Sequence, residues 1–128
     1  MITRNESPNS FSWNARLKSF RYAFEGLTIF FAAEHNAIIH LLITIFVFIA
    51  AAFFNLSKGE WIAIILATGF VWTTELFNTA IERLSDLVSK DFNPEIKFIK
   101  DVSAAAVLVA AVVAFLTGAI IFIPKILM

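Results

Sequence analysis

Glu75, Asn78, Glu82 and Asp86 recur at three- and four-residue steps in a stretch that is otherwise mostly apolar. On a helix turning about 100° per residue they fall within an arc of about 80°. The segment before them, Ile62 to Thr74, carries no charge. An acid costs about 2.5–3.5 kcal/mol or more at the centre of a bilayer and seldom persists there without a partner or a task. A row of acids on one stripe therefore asks for cations: metal ions, lysines or both. Any one of these residues, taken singly, could equally belong to a structural polar seam between helices. Four together, with Glu34 at a similar depth, favour a shared site. Carboxylates facing a common cavity are hard oxygen ligands suited to Mg²⁺, which usually takes one or two carboxylates and completes its shell with substrate phosphates.

Lys97, Lys100 and Asp101 lie within about one helical turn of each other. Their plain reading is juxtamembrane charge, with Lys97 and Asp101 as an i,i+4 pair. The adjacency of Lys100 and Asp101 at a membrane entry, opposite an acidic stripe, points instead to phosphate binding. The four glycines Gly26, Gly59, Gly69 and Gly118 are scattered, so the chain has no P-loop and no dinucleotide fingerprint. Any nucleotide must then be gripped by side chains and metal. Glu34, Glu82, Lys100 and Asp101 could supply that grip from three helices. Ser85 and Ser103 have no base partner, which leaves nucleophilic catalysis unsupported. His35 and His40 are isolated, show no metal-ligand spacing and are assigned no role. With no cysteine, disulfides and thiolate chemistry are excluded.

The elements that must position these groups are membrane elements. Of 128 residues 59% are hydrophobic, including 15 Phe, far outside the soluble norm. Ala37 to Ser57 is uncharged over 21 residues and Val102 to Pro124 over 23, each long enough to cross a hydrocarbon core of about 30 Å. Between them Trp61 to Thr74 is uncharged and runs into the acidic stripe. Three transmembrane helices are expected, at about 37–56, 60–82 and 102–124. None resembles a cleaved signal. From Phe11 to Ala33, Leu17, Phe20, Phe24, Leu27 and Phe31 recur at helical spacing while Arg16, Lys18, Arg21, Tyr22 and Glu25 lie mostly off that stripe. That is the pattern of an amphipathic helix lying in the interface, over about 11–33. Residues 1–10 are polar and turn-forming, and should fray. Asn93 followed by Pro94 is a helix start, and Pro124-Lys125 should close the last span, with Lys125 snorkelling outward. Trp61 is placed as an interfacial anchor. One domain, 1–128, is expected.

Charge placement gives an orientation. Arg4, Arg16, Lys18 and Arg21 precede the first span, and Arg83, Lys90, Lys97 and Lys100 separate the second from the third. The other connection has only Lys58 and the C-terminus only Lys125. The positive-inside bias puts the N-terminus and the 83–101 segment in the cytoplasm and the C-terminus outside. With a net charge of zero, bulk attraction to nucleic acid is not expected.

The run Glu75-Leu76-Phe77-Asn78-Thr79-Ala80-Ile81-Glu82, then Asp86, then Lys100-Asp101 before a small-residue helix closely resembles the prokaryotic diacylglycerol kinase family. The resemblance extends from about Phe11 to Leu127. Phe20-Arg21-Tyr22-Ala23, Glu34-His35-Asn36 followed by His40, the Asn93-Pro94 turn and Lys100-Asp101-Val102 look most like its undecaprenol kinase branch. The resemblance implies an ATP- and Mg²⁺-dependent kinase of a membrane lipid alcohol, undecaprenol or diacylglycerol, in the bacterial inner membrane. Glu75 would be the general base for the lipid hydroxyl, and Glu34 and Glu82 would hold the divalent metals bridging the ATP phosphates. Asn78, Lys100 and Asp101 would position phosphates or support the catalytic carboxylate, and Asp86 would help bind nucleotide. Tyr22 would lie near the adenine, with Lys18 nearby on the same helix. Family members are homotrimers whose sites are shared between subunits. Two positions depart from the pattern: Ile38, where the family often has Arg, and Asn93, where the branch commonly has His.

The main rival is a small proton-coupled multidrug exporter built on a membrane-embedded Glu. Such a protein needs one deep acid and has no use for Glu82, Asp86, Lys100 and Asp101 gathered on one face. A non-catalytic membrane scaffold is a third possibility.

Overall fold

The computed structural model describes residues 11–128; the expected frayed stretch 1–10, and Arg4 in the charge argument, lie outside the described residues. The described residues are helical, with no strand among them: α1 Trp13–Ala33, α2 His35–Phe53, α3 Lys58–Val88 and α4 Pro94–Leu127. The last three are each long and apolar enough to cross a membrane.

The chain divides into two compact units, one ending at Ala33 and one beginning at Glu34. In the first, Ser12 starts α1 by accepting from the Ala15 N–H at 3.4 Å. Arg21 pairs with Glu25 one turn on, at 2.8 Å. Leu17, Phe20 and Phe24 of the expected apolar stripe are exposed, and so is Tyr22.

The second unit is built on two antiparallel connections. After α2, Asn55 takes a left-handed φ of 50°, a conformation Asn tolerates better than most residues. Ser57 and Glu60 then form a reciprocal capping box. The Glu60 N–H donates to Ser57 Oγ at 3.3 Å, and the Ser57 N–H donates to Glu60 Oε2 at 2.7 Å. Each bond occupies a backbone donor that a helix start leaves unpaired. Asn93 caps α4, accepting from Glu95 N–H at 2.9 Å, with Pro94 as the first helical residue.

The core lies at the hairpin end of this unit, where Ala51, Leu56, Ile64 and Ile121 are buried together. Trp61 joins that cluster, its ring 5.8 Å from Phe48. Helices α3 and α4 pack extensively on each other, and α2 touches α3 more sparsely. Small residues permit the close approaches: Ala51, Ala110 and Ser103 are buried. Large apolar side chains such as Phe53, Ile62, Leu66 and Ile120 are exposed, which suits helices of membrane length.

Two expectations are corrected at the C-terminal end of α4. Lys125 does not snorkel free; its Nζ lies 3.2 Å from Glu60 Oε2. Because α3 and α4 run antiparallel, the first turn of one meets the last turn of the other. The helix also continues through Pro124 to Leu127. A proline removes one backbone donor and strains one turn, and here only three residues follow it in the helix. Helix α3 likewise outruns its expected end, reaching Val88, so Glu82 and Asp86 both stand on continuous helix.

Candidate active site

The acidic stripe sits on α3, whose unbroken backbone keeps Glu75, Asn78, Glu82 and Asp86 on one side. Each now has a partner. Glu75 Oε1 lies 2.6 Å from His40 Nε2 on α2, with side-chain exposures of 12% and 25%. This overturns the reading of His40 as isolated. In sequence the two residues are far apart, and only the hairpin through Asn55 folds α2 back along α3 to join them. A neighbouring link fixes the same register: Trp72 Nε1 donates to Thr44 Oγ1 at 3.0 Å, and Thr44 Oγ1 donates to the His40 carbonyl at 2.7 Å. The His40 and Trp72 rings meet edge to face at 6.3 Å.

That register sets the depth of the remaining acids. Glu34 lies six residues before His40 and Glu82 seven after Glu75. At about 1.5 Å per residue both stand about 10 Å from the His40–Glu75 level, toward the same end of the antiparallel pair. Glu34 occupies the N-cap position of α2 with no side-chain capping bond, so its carboxylate is not spent on the helix start. Asn78 Nδ2 donates to Glu82 Oε1 at 3.1 Å. Asn78 Oδ1 is buried and has no hydrogen-bond partner, a costly state for a carboxamide oxygen.

Further along, Lys100 Nζ lies 2.5 Å from Asp86 Oδ1, joining α4 to the stripe. Asp101 is held by Lys97 one turn before it. The i,i+4 pair and the cation opposite the stripe are thus both present, on neighbouring residues of one helix. Lys18 and Tyr22 stand on α1, in the separate first unit. His35 is exposed and retains no assigned role.

Two grooves adjoin these groups. One of about 440 Å³ lies between α3 and α4, with Thr74 and Asn78 on one wall and Val102 and Ser103 on the other. A second, of about 540 Å³, starts at His40 and Thr44 and runs between α2, α3 and α4 to Phe122 and Ile123; its lining is almost wholly apolar.

Among the described residues no three carboxylate, imidazole or thiolate groups converge closely enough to form a cation site by themselves. The donor set nevertheless fits a hard cation that takes few protein ligands: carboxylates at Glu34 and Glu82, and the unpartnered carboxamide oxygen of Asn78.

The described residues combine three helices of membrane length, an acid on α3 paired across to α2, and a charged cluster at one end of α3. The sequence model of the family described as prokaryotic diacylglycerol kinase matches residues 21–122. The chain is 38% identical over 112 residues to undecaprenol kinase of Bacillus subtilis (strain 168), covering 88% of this chain and 91% of that protein. It is 36% identical over 112 residues to diacylglycerol kinase of Synechocystis sp., covering 87% of this chain and 64% of that protein. The chain belongs to the prokaryotic diacylglycerol kinase family and is a lipid kinase.

Proposed function

We propose that the chain transfers the γ-phosphoryl group of ATP to the primary hydroxyl of a membrane lipid alcohol, undecaprenol or diacylglycerol. The observation that carries this reading is the order of groups along α3: a deep, paired carboxylate at Glu75, the Asn78–Glu82 pair about two turns on, and Asp86 joined to Lys100 beyond. That order runs from a lipid end to a phosphate end.

In this reading Glu75 accepts the proton of the lipid hydroxyl, whose oxygen attacks the γ-phosphorus in line. The long apolar groove beginning at His40 suits the acceptor's hydrocarbon chain, with its hydroxyl at the Glu75 end. Lys100, released from Asp86, offsets charge on the transferring group. Glu34 and Glu82, with Asn78 Oδ1, would hold Mg²⁺, which would supply positive charge to offset the ATP phosphates. Asp101 supports that end of the site, Asp86 contributes to nucleotide binding, and Lys18 and Tyr22 are assigned to the nucleotide by the family resemblance alone.

Residues 1–128 form one integral-membrane kinase domain in this reading, with α1 at the interface of a bacterial inner membrane. The N-terminus and the 83–101 segment are cytoplasmic and the C-terminus lies outside, by the distribution of Lys and Arg. The working assembly is a homotrimer, which would give the Glu34 carboxylate and the outward helix faces their partners.

The decisive assay is ATP-dependent phosphorylation of each lipid in mixed micelles. Mg²⁺-dependent transfer to one or both is expected, and side-by-side turnover identifies the preferred alcohol. If neither lipid is phosphorylated by the wild type, the reading fails.

A further inference from the structure

We propose that His40 is the positioning residue of the Glu75 base. This rests on the reading of Glu75 as the group that takes the hydroxyl proton. The contact is one-sided: Nε2 of His40 meets Oε1 of Glu75 at 2.6 Å, which leaves the other carboxylate oxygen to face the acceptor. A Glu side chain has three rotatable bonds and, unrestrained, samples several rotamers. A general base must instead lie within hydrogen-bond reach of the proton it removes.

Four features suit His40 to hold it. Imidazole can donate from Nε2 as the neutral tautomer or as the cation, so the bond to a carboxylate survives either state. The pair is largely withdrawn from solvent, with 12% exposure at Glu75 and 25% at His40, where a contact between polar groups is least screened by water. His40 itself has little freedom, since its ring lies against Trp72 and its carbonyl accepts from Thr44, which accepts in turn from Trp72. Finally, Trp72 is one turn from Glu75 on α3 and Thr44 one turn from His40 on α2. The two interhelix links therefore reinforce one register at the level of the reacting group. His40 also lines the head of the apolar groove, so the carboxylate in contact with it adjoins that end of the groove.

The transfer itself balances without His40 changing charge. The acceptor oxygen bonds to the γ-phosphorus, the bond from that phosphorus to the β–γ bridging oxygen breaks, and ADP leaves with the electron pair. The hydroxyl proton goes to the free oxygen of Glu75 while His40 keeps the other oxygen fixed.

The test uses the full-length protein in mixed micelles, with steady-state kinetics on the preferred lipid. His40→Ala should lower kcat about a hundredfold, the scale of a misplaced catalytic group, with KM for lipid and for Mg·ATP within about threefold of wild type. His40→Gln, whose amide N–H can reach the place of Nε2, should recover about tenfold of that loss. Lys125→Met removes an interhelix ion pair at the hairpin end, remote from the site, and should keep kcat within about threefold of wild type. An unchanged kcat in His40→Ala overturns the proposal. So does a loss carried by lipid KM alone, which would make His40 a substrate contact, and so does an equal loss in Lys125→Met, which would make the effect one of helix packing. Failure of the underlying reading looks different: the wild type is then inactive on both lipids, or Glu75→Gln remains active.

Discussion

Lys100 Nζ stands 2.5 Å from Asp86 Oδ1, so a cation on the first turns of α4 meets the far end of the acidic stripe across fourteen residues of chain. Both side chains keep substantial exposure, 35% for Lys100 and 53% for Asp86. A pair so placed contributes about 1 kcal/mol or less to stability, so Lys100→Met should leave the melting temperature nearly unchanged. Its effect should appear in turnover instead, as a fall in kcat of about a hundredfold, the loss typical when one donor to a transferring group is removed. Thermal unfolding and kcat measured on the same sample separate the two. Full activity in Lys100→Met would reduce the pair to an interhelix tie.

Glu75→Gln keeps the size of the side chain and its capacity to accept a hydrogen bond from His40. It removes the charge and most of the basicity. We expect kcat to fall between about a hundredfold and ten-thousandfold, the usual range for loss of a general base, while ATP binding survives. Equilibrium binding of nucleotide to the variant, alongside turnover, checks both halves. Joint loss of binding and turnover would contradict the division of the stripe into a lipid end and a phosphate end.

The sequence already contained most of the architecture, because the strongest signals were local. Uncharged runs of membrane length, the Asn93-Pro94 start and the three- and four-residue spacing of the stripe each describe one helix, and the helices contain those runs even where α3 and α4 extend past the expected ends. What escaped was pairwise. His40 has no metal-ligand spacing and no charged neighbour in sequence, and its meaning depends on the register of α2 against α3, set by a turn at Asn55 and Leu56. Lys125 looked free for the same reason: Glu60 is its neighbour only because α3 and α4 are antiparallel. The capping box of Ser57 and Glu60 could have been read, as Ser-x-x-Glu before an apolar run is its sequence signature.

That capping box gives a stability prediction free of catalytic effects. Ser57→Ala removes the acceptor for the Glu60 N–H and loosens the reciprocal bond to the Ser57 N–H. The expected cost is about 1 kcal/mol. Glu60→Ala should cost more, since it also strips Lys125, at the same end of the bundle, of its partner. Thermal unfolding in detergent should rank wild type above Ser57→Ala above Glu60→Ala, with kcat preserved in both. A drop in kcat would mean that the hairpin end communicates with the site.

Asn78 and Glu82 form the part of the stripe best suited to a cation, and a single substitution can distinguish charge from packing there. In Glu82→Gln the side chain keeps its length and can still accept from Asn78 Nδ2, as Glu82 Oε1 does now at 3.1 Å. Only the negative charge is lost. If that charge serves helix packing alone, the substitution should relieve the burden of an acid at this depth and leave Mg²⁺ dependence untouched. If it ligates the metal, the Mg²⁺ concentration for half-maximal activity should rise about tenfold or more at fixed ATP, with nucleotide affinity weakening in step. Asn78→Leu provides the complementary case, since it deletes the buried, unpartnered Oδ1. Removing the unsatisfied oxygen relieves an uncompensated desolvation, but the same substitution deletes the Nδ2 donor to Glu82, so the stability of the empty protein should change little. Removing an oxygen that a cation satisfies should weaken Mg·ATP binding at the same time. A titration of both variants with Mg²⁺ therefore decides the role, and unchanged Mg·ATP affinity in Glu82→Gln would sink the assignment of this carboxylate to the metal.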